Sequence, residues 1–238
     1  MMVAARERLN RHLARRGIAS RRGADSLIAE GRVTVNGSVA AVGSTVDAAE
    51  DRVAVDGRRV GARPRDRTVL LNKPPGVVTT RHDPQGRPTV MGLVQPVPGL
   101  VPVGRLDAES RGLLLLSNEG DLVHRAAHPR YGLRRVYRVQ VTPPASGAQV
   151  RSLLEGVELD DGTARALEAR RVGHGIEIVM GEGRRREVRR MCAAVGLDVI
   201  DLLRIAYGPI RLGDLPEGAS RPLLPEELEA LRRSLGLG

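Results

Sequence analysis

Four consecutive leucines, Leu113 to Leu116, constrain this chain more than any other stretch. They sit between Gly112 and the turn-forming run Ser117-Asn118-Glu119-Gly120. A short apolar run bounded by turn residues predicts a buried strand. Just ahead of it, in "VPVGRLDAESRGLLLLSNEG", stand Arg105 and Asp107. Charges at the mouth of a core are either loop charges capping a strand or groups held at a site.

The rest of the core has to be aliphatic. The 238 residues include no Phe or Trp and three Tyr, namely Tyr131, Tyr137 and Tyr207, while 41% are hydrophobic. That is enough apolar content for a folded chain rather than a disordered one. The formal net charge is +10, and every basic residue except Lys73 is Arg. Genomic base composition explains Arg in place of Lys, but not the excess over Asp and Glu. Guanidinium forks match phosphates and stack on bases, so the charge points to a nucleic-acid partner. The single Cys192 excludes an intramolecular disulfide and a multi-cysteine zinc site. No signal pattern is present at the N-terminus and no apolar run is long enough to span a membrane. The expectation is a soluble, cytoplasmic protein.

Residues 6–62 read as a separate module. "RLNRHLARRG" predicts a short helix ending at Gly17. Ser20 can cap a second helix, "RRGADSLIAEG", in which Ala24, Leu27 and Ile28 share a face. "RVTVNGSVA" reads as a hairpin turning at Asn36-Gly37, and "DRVAVDG" as a strand followed by an Asp56-Gly57 turn. The order of these pieces, carried by "ASRRGADSLIAEGRVTVNG", resembles the S4 RNA-binding domain. That resemblance implies phosphate contacts from Arg8, Arg21, Arg22 and Arg32, with Asn36 among the RNA-binding residues.

"GARPRDR" at 61–67 is polar and contains Pro64, so residues 63–67 are the expected linker. A second domain, 68–238, opens with "TVLLNKPPGVVTT", and its "DPQGRPTV" loop carries Arg87. Further strands are expected at 112–116, 136–142, 164–171, 176–180 and 197–206, and helices at 121–127, 146–155, 185–195 and 225–235. Strands outnumber helices and often follow one another, which predicts an α+β fold with a mixed, mostly antiparallel sheet.

Common enzyme signatures are missing. His124 and His128 are four apart but lack the glutamate of H-E-x-x-H, so no metal site is expected. What remains is Asp107, Tyr137 and "GEGRRREVRRMCAAVG". In that segment Val188, Met191, Cys192 and Val195 form a buried stripe and Arg184, Arg185, Arg186, Arg189 and Arg190 occupy the other faces. A carboxylate beside an arginine stays ionised and suits attack on a sugar carbon or proton abstraction.

"NKPPGVVTT", "GRLDAESRGLLLLSNEGDL", "VYRV" and "GEGRRREVRRM", in this order after an S4-like module, resemble the pseudouridine synthases that act on small-subunit and large-subunit rRNA. The resemblance covers roughly residues 6–215 and implies a catalytic role for Asp107, an active-site Tyr137, and Arg189 as the arginine partner of Asp107. It further implies RNA contacts from Lys73, Arg87, Arg105, Arg184 and Arg186. "TTRHDPQGRPTV" looks more like the large-subunit enzymes. The implied partner is ribosomal RNA or a ribosomal subunit precursor, bound by a monomer, with the target uridine flipped out of its stack. The isomerisation loses no group and involves no redox step, so no cofactor and no metal are expected. Two positions depart from the family pattern. Arg185 stands where Asn is frequent, and Glu187 stands where Gln is common. A non-catalytic S4-type ribosome-assembly factor is the alternative reading. A sugar-cleaving hydrolase fits less well, because it normally wants two carboxylates at its site.

Overall fold

The computed structural model describes residues 6–238, which fall into two compact units. The smaller comprises the described residues up to Arg67, together with Pro96–Leu100 and Ser117–Gly120. It is built from β1 (Glu7–Arg8), α1 (Leu9–Arg15), α2 (Arg21–Ala29), β2 (Val33–Val35), β3 (Ser38–Val39), β4 (Thr45–Val46), β5 (Val53–Val55) and β6 (Arg58–Arg59). Four strands form a sheet in the order β3-β2-β5-β6, and β1 pairs with β4. Both hairpins of that sheet turn through consecutive positive φ values, at Asn36 and Gly37 (52° and 87°) and at Asp56 and Gly57 (49° and 74°). Such turns match strand twist and favour Asn-Gly and Asp-Gly, which is why the sequence marks them. Ser20 caps α2 by accepting the Gly23 N–H at 3.0 Å. Leu9, Leu13, Ala24, Ile28, Val33, Val46 and Val53 close the core of this unit.

The stretch 65–67 is pinned rather than free. Asn118 accepts the Arg67 N–H at 2.7 Å and donates to the Arg65 carbonyl at 3.0 Å.

The larger unit holds β7 (Thr68–Lys73), β8 (Val101–Val103), β9 (Arg111–Ser117), α3 (Gly120–Ala127), β10 (Arg135–Thr142), α4 (Gly147–Glu155), β11 (Glu168–Val172), β12 (Gly175–Met180), α5 (Glu187–Ala194), β13 (Asp198–Tyr207), β14 (Ile210–Arg211), β15 (Ser220–Pro222) and α6 (Pro225–Ser234). Its nine-stranded mixed sheet runs β11-β12-β10-β13-β9-β7-β15, with β14 and β8 beside β13 and β9. β13 is antiparallel to β10 and parallel to β9.

All four leucines of the run are fully buried. Leu113 and Leu115 join one cluster with Leu122, Tyr207 and Leu231, so Leu114 and Leu116 face the opposite side of the sheet. Both faces are covered there, which explains an unbroken apolar run in place of alternation.

Two expected elements come out shorter. The strand expected at 164–171 starts at Glu168, because Ala164 is taken by an isolated bridge to Val157. The helix expected from 185 starts at Glu187, because Arg186 holds a left-handed backbone (φ 51°) that ends helical geometry.

Candidate active site

The loop between β8 and β9 carries Asp107, and most of its carbonyls are tied down. Lys73, at the end of β7, has no exposed surface, and its Nζ donates to the carbonyls of Pro74, Ala108 and Ser110 at 2.8, 3.1 and 2.8 Å. Thr79 Oγ1 donates to the Leu106 carbonyl at 2.7 Å and lies 3.3 Å from the Leu106 N–H. Gly76 N–H donates to Ala108 at 2.8 Å, and the Ser110 N–H closes a turn onto the Asp107 carbonyl at 3.1 Å. The "NKPPGVVTT" segment is therefore the frame of the "GRLD" loop, which explains why the two motifs occur together.

Lys73 also corrects an expectation. With no exposed surface and its ammonium donating to three backbone carbonyls, it is not placed to contact RNA. Burial lowers its pKa to about 8, against the pull of the Asp107 charge.

β13 contributes the second half of the site. Arg204 is 2% exposed; its Nε donates to the Leu113 carbonyl at 2.7 Å and its Nη1 to the Arg105 carbonyl at 3.4 Å. Its Nη2 is buried with no hydrogen-bond partner. Gly112 makes this placement possible. A Cβ there would come within 2.4 Å of the Arg204 carbonyl oxygen, and its φ of 102° disfavours any other residue. Tyr137 on β10 is buried and sits directly opposite Arg204 in the β10–β13 register, beside a bulge at Val136/Tyr137. Tyr207 lies between two guanidiniums, 5.0 Å from that of Arg204 and 5.2 Å from that of Arg135, and its hydroxyl donates to the Ala126 carbonyl at 2.6 Å.

These side chains open onto one cleft of about 290 Å³, lined by Arg105, Asp107, Tyr137, Arg204, Tyr207 and the 182–188 segment. The arrangement places the carboxylate of Asp107, the buried guanidiniums of Arg135 and Arg204 and two tyrosines around a cavity of nucleobase scale, with Glu182 and Glu187 also in its wall.

The structure does not bring Arg189 to Asp107. Its Nη1 and Nη2 donate to the carbonyls of Val199 and Glu109 at 3.3 and 3.4 Å, and its Nε lies 3.9 Å from the Glu109 carboxylate. Glu109 also pairs with Arg186 at 2.9 Å. The basic helix therefore grips the loop through the carboxylate two residues beyond Asp107. Arg204 is a buried cation that lines the same cleft as Asp107, and the sequence reading missed it. Its signal was present: Leu202, Arg204 and Ala206 alternate on the inward face of β13, and a charge at such a position is costly unless used.

Several expected RNA contacts are occupied by protein partners. Arg184 donates to the carbonyls of Asp161, Gly162 and Thr163 and to Glu182, so it ties two loops together. Arg32 is bidentate to Asp56 at 2.8 and 2.7 Å. Asn36 donates to Asp51 and accepts from the Arg52 N–H, which shapes its turn. Arg87 is bidentate to the buried Asp83, which the guanidinium holds down at about 2. Arg8 donates to the Gly43 carbonyl. Arg21 and Arg22 are exposed on the first turn of α2, and Arg105 and Arg186 are exposed at the cleft.

Glu187, unexplained in the sequence, is 5% exposed. Its Oε2 accepts the Arg184 N–H at 3.0 Å and its Oε1 has no hydrogen-bond partner. Burial pushes its carboxyl up, Glu182 adds to this, and the Arg184 N–H and charge oppose it.

The sheet, the loop that carries Asp107 and the basic cleft define a nucleic-acid-directed domain joined to an S4-type module. Comparison with known proteins agrees. The RNA pseudouridylate synthase family model matches residues 67–194 and the S4 domain model matches residues 7–53. An "uncharacterized RNA pseudouridine synthase" of Aquifex aeolicus is 42% identical, covering 97% of this chain and 95% of its own. Ribosomal large subunit pseudouridine synthase B of Pseudomonas aeruginosa is 40% identical over 97% of this chain, which spans 63% of that protein's length. The protein of the same name from Xanthomonas campestris is 39% identical, and the chain spans 50% of it. A crystal structure of a pseudouridylate synthase superposes with a TM-score of 0.69 at 29% identity, covering 94% of this chain and 99% of that one. The chain belongs to the RNA pseudouridylate synthase family.

Proposed function

We propose that the chain converts uridine to pseudouridine in large-subunit ribosomal RNA. The observation that carries this is the placement of Asp107 on a loop clamped by Lys73 and Thr79, in one cleft with Arg204 and Tyr137. In the reaction the N1–C1′ bond breaks, the base turns, and C1′ joins C5. The C5 proton leaves to solvent and N1 takes up a proton, so atoms balance without a co-reactant. Asp107 acts as an anion at the sugar, either on C1′ or on the 2′ proton. Arg204 is a buried cation in the wall of the same cleft. Tyr137 packs on the base after the uridine leaves its stack.

Residues 6–62 supply RNA affinity and 68–238 the chemistry. Ribosomal RNA or a subunit precursor is the partner, the reaction takes place in the cytoplasm, and the chain acts as a monomer. Among the described residues no helix is long and apolar enough to cross a membrane. The names of the relatives support large-subunit rRNA as the substrate.

The test is tritium release from a large-subunit rRNA transcript labelled at C5 of uridine, with a binding titration on the same protein. Release is expected. Binding without release, on the transcript and on precursor particles alike, would return the chain to the binding-factor reading.

A further inference from the structure

One side-chain cluster takes no part in the chemistry above. α3 ends in His124, Arg125 and Ala127, and a single 3-10 turn, Pro129–Tyr131, follows it. The rings of His124 and His128 are 5.9 Å apart, and each meets Tyr131 edge-on at 6.3 Å. The guanidinium of Arg130 lies 4.7 Å from the Tyr131 ring centroid and that of Arg125 5.6 Å from it.

The cluster is held in place from behind. Arg125 is bonded to the carbonyls of Leu235 and Gly236, just past α6, at 2.8 and 2.7 Å. His128 Nδ1 accepts the Arg130 N–H at 3.2 Å, which fixes that imidazole, and Tyr131 packs on the core. The front is open: His124, His128 and Arg130 are exposed. This is unusual in a chain without Phe or Trp, whose other tyrosines, Tyr137 and Tyr207, are buried. Ala127 and Pro129, on either side of His128, line the cleft. The turn that carries His128 is therefore continuous with the cleft wall.

Fixed rings and guanidinium planes beside a basic cleft are what an unstacked nucleobase requires, since every base has a π-face and such stacking tolerates any sequence. We propose that His124, His128 and Arg130, backed by Tyr131, form a stacking site for an unpaired base next to the uridine that enters the cleft. The site rests on the RNA-modifying reading. It takes the neighbour of the flipped nucleotide, so that opening the stack for one base is offset by restacking another.

The test is carbethoxylation of histidines in the full chain, read by mass spectrometry, with and without a large-subunit rRNA transcript, and with heparin as a polyanion that has no bases. Exposed His174, in the β11–β12 turn, is the internal reference. RNA is expected to protect His124 and His128 severalfold more than His174, and heparin to protect neither. Equal protection by heparin, or full reactivity of both histidines at saturating RNA, overturns the site.

A His124→Gln/His128→Gln variant, altered only at exposed positions, should bind the transcript about tenfold more weakly with an unchanged slope of log affinity against log salt. A flatter slope would assign phosphate contact instead and also overturn the stacking site. Tritium release by the wild type on the same transcript reports separately on the reaction.

Discussion

The Nζ of Lys73 lies 2.8 Å from the Ser110 carbonyl oxygen, on a side chain with no exposed surface, 37 residues away along the chain. Through this contact and those to Pro74 and Ala108, one lysine fixes the turn that presents Asp107. Lys73→Met keeps the volume and removes every donor. Each buried carbonyl left unpaired costs about 1–3 kcal/mol, so a lower Tm is expected. Turnover should fall more than tenfold, because a loosened loop misplaces the carboxylate, while RNA affinity stays within about twofold. Calorimetry and tritium release check both, and an active, equally stable variant would show that the loop does not need the clamp.

Lys73 also sets a pH dependence. Its folded pKa, about 8, lies below the ordinary value of 10.5. The unfolded chain therefore binds more protons between those values, and this group's cost to stability recedes as pH rises from about 8 to 10.5. Activity should move the other way, since a neutral amine has lost one donor and the charge that faces Asp107. A pH–rate profile that stays flat through pH 9 would oppose this.

Asp107→Asn keeps shape and loses the anion. Tritium release is expected to fall by several orders of magnitude, because no other carboxylate lies on the clamped loop facing the cleft with Arg204. Affinity should persist, since phosphate contacts dominate binding. A variant that matches the wild type would make Asp107 a turn residue only.

Arg204 and Arg189 separate cleanly. Arg204→Lys should lose most turnover, since a point charge cannot serve the Leu113 and Arg105 carbonyls and the cleft together. Arg189→Ala breaks contacts to Glu109 and Val199 and should cost far less, about tenfold at most by loosening the loop. The reverse order, read from kcat on one transcript, would restore Arg189 as the partner of Asp107.

Glu187→Gln tests the buried carboxyl. Its folded pKa is raised, so the folded chain binds the extra proton and stability falls as pH rises from the ordinary Glu range through the folded value. Gln does not titrate. The variant should equal or exceed the wild type in Tm at neutral pH, with a flatter pH–Tm curve above the ordinary Glu range. An unchanged curve would mean that Glu187 is ionised throughout.

Local chemistry decided much of this protein from the sequence alone. The leucine run between turn formers, the Asn36-Gly37 and Asp56-Gly57 turns, the Ser20 cap and the "GRLD" loop depend on neighbours a few residues away, and each lies where its pattern predicts. The mixed sheet follows from the order of strands and helices. Asp107 and Tyr137, both named from motifs, do share one cleft.

Pairings between distant residues were not legible. Arg204 and Asp107 are 97 positions apart and line one cleft because β13 runs parallel to β9 at Gly112. Nothing in the spacing of Arg189 distinguishes Asp107 from Glu109, two residues on in the same loop. The sequence likewise shows Lys73 and Arg184 only as positive charges, whether they meet phosphate or carbonyl oxygen. Charge and motif say which groups a chain carries, but which of them face the cleft and which are consumed inside it depends on where the sheet brings the backbone carbonyls. That is a property of the packed fold, because a buried donor must end on whatever acceptor the tertiary structure puts within reach.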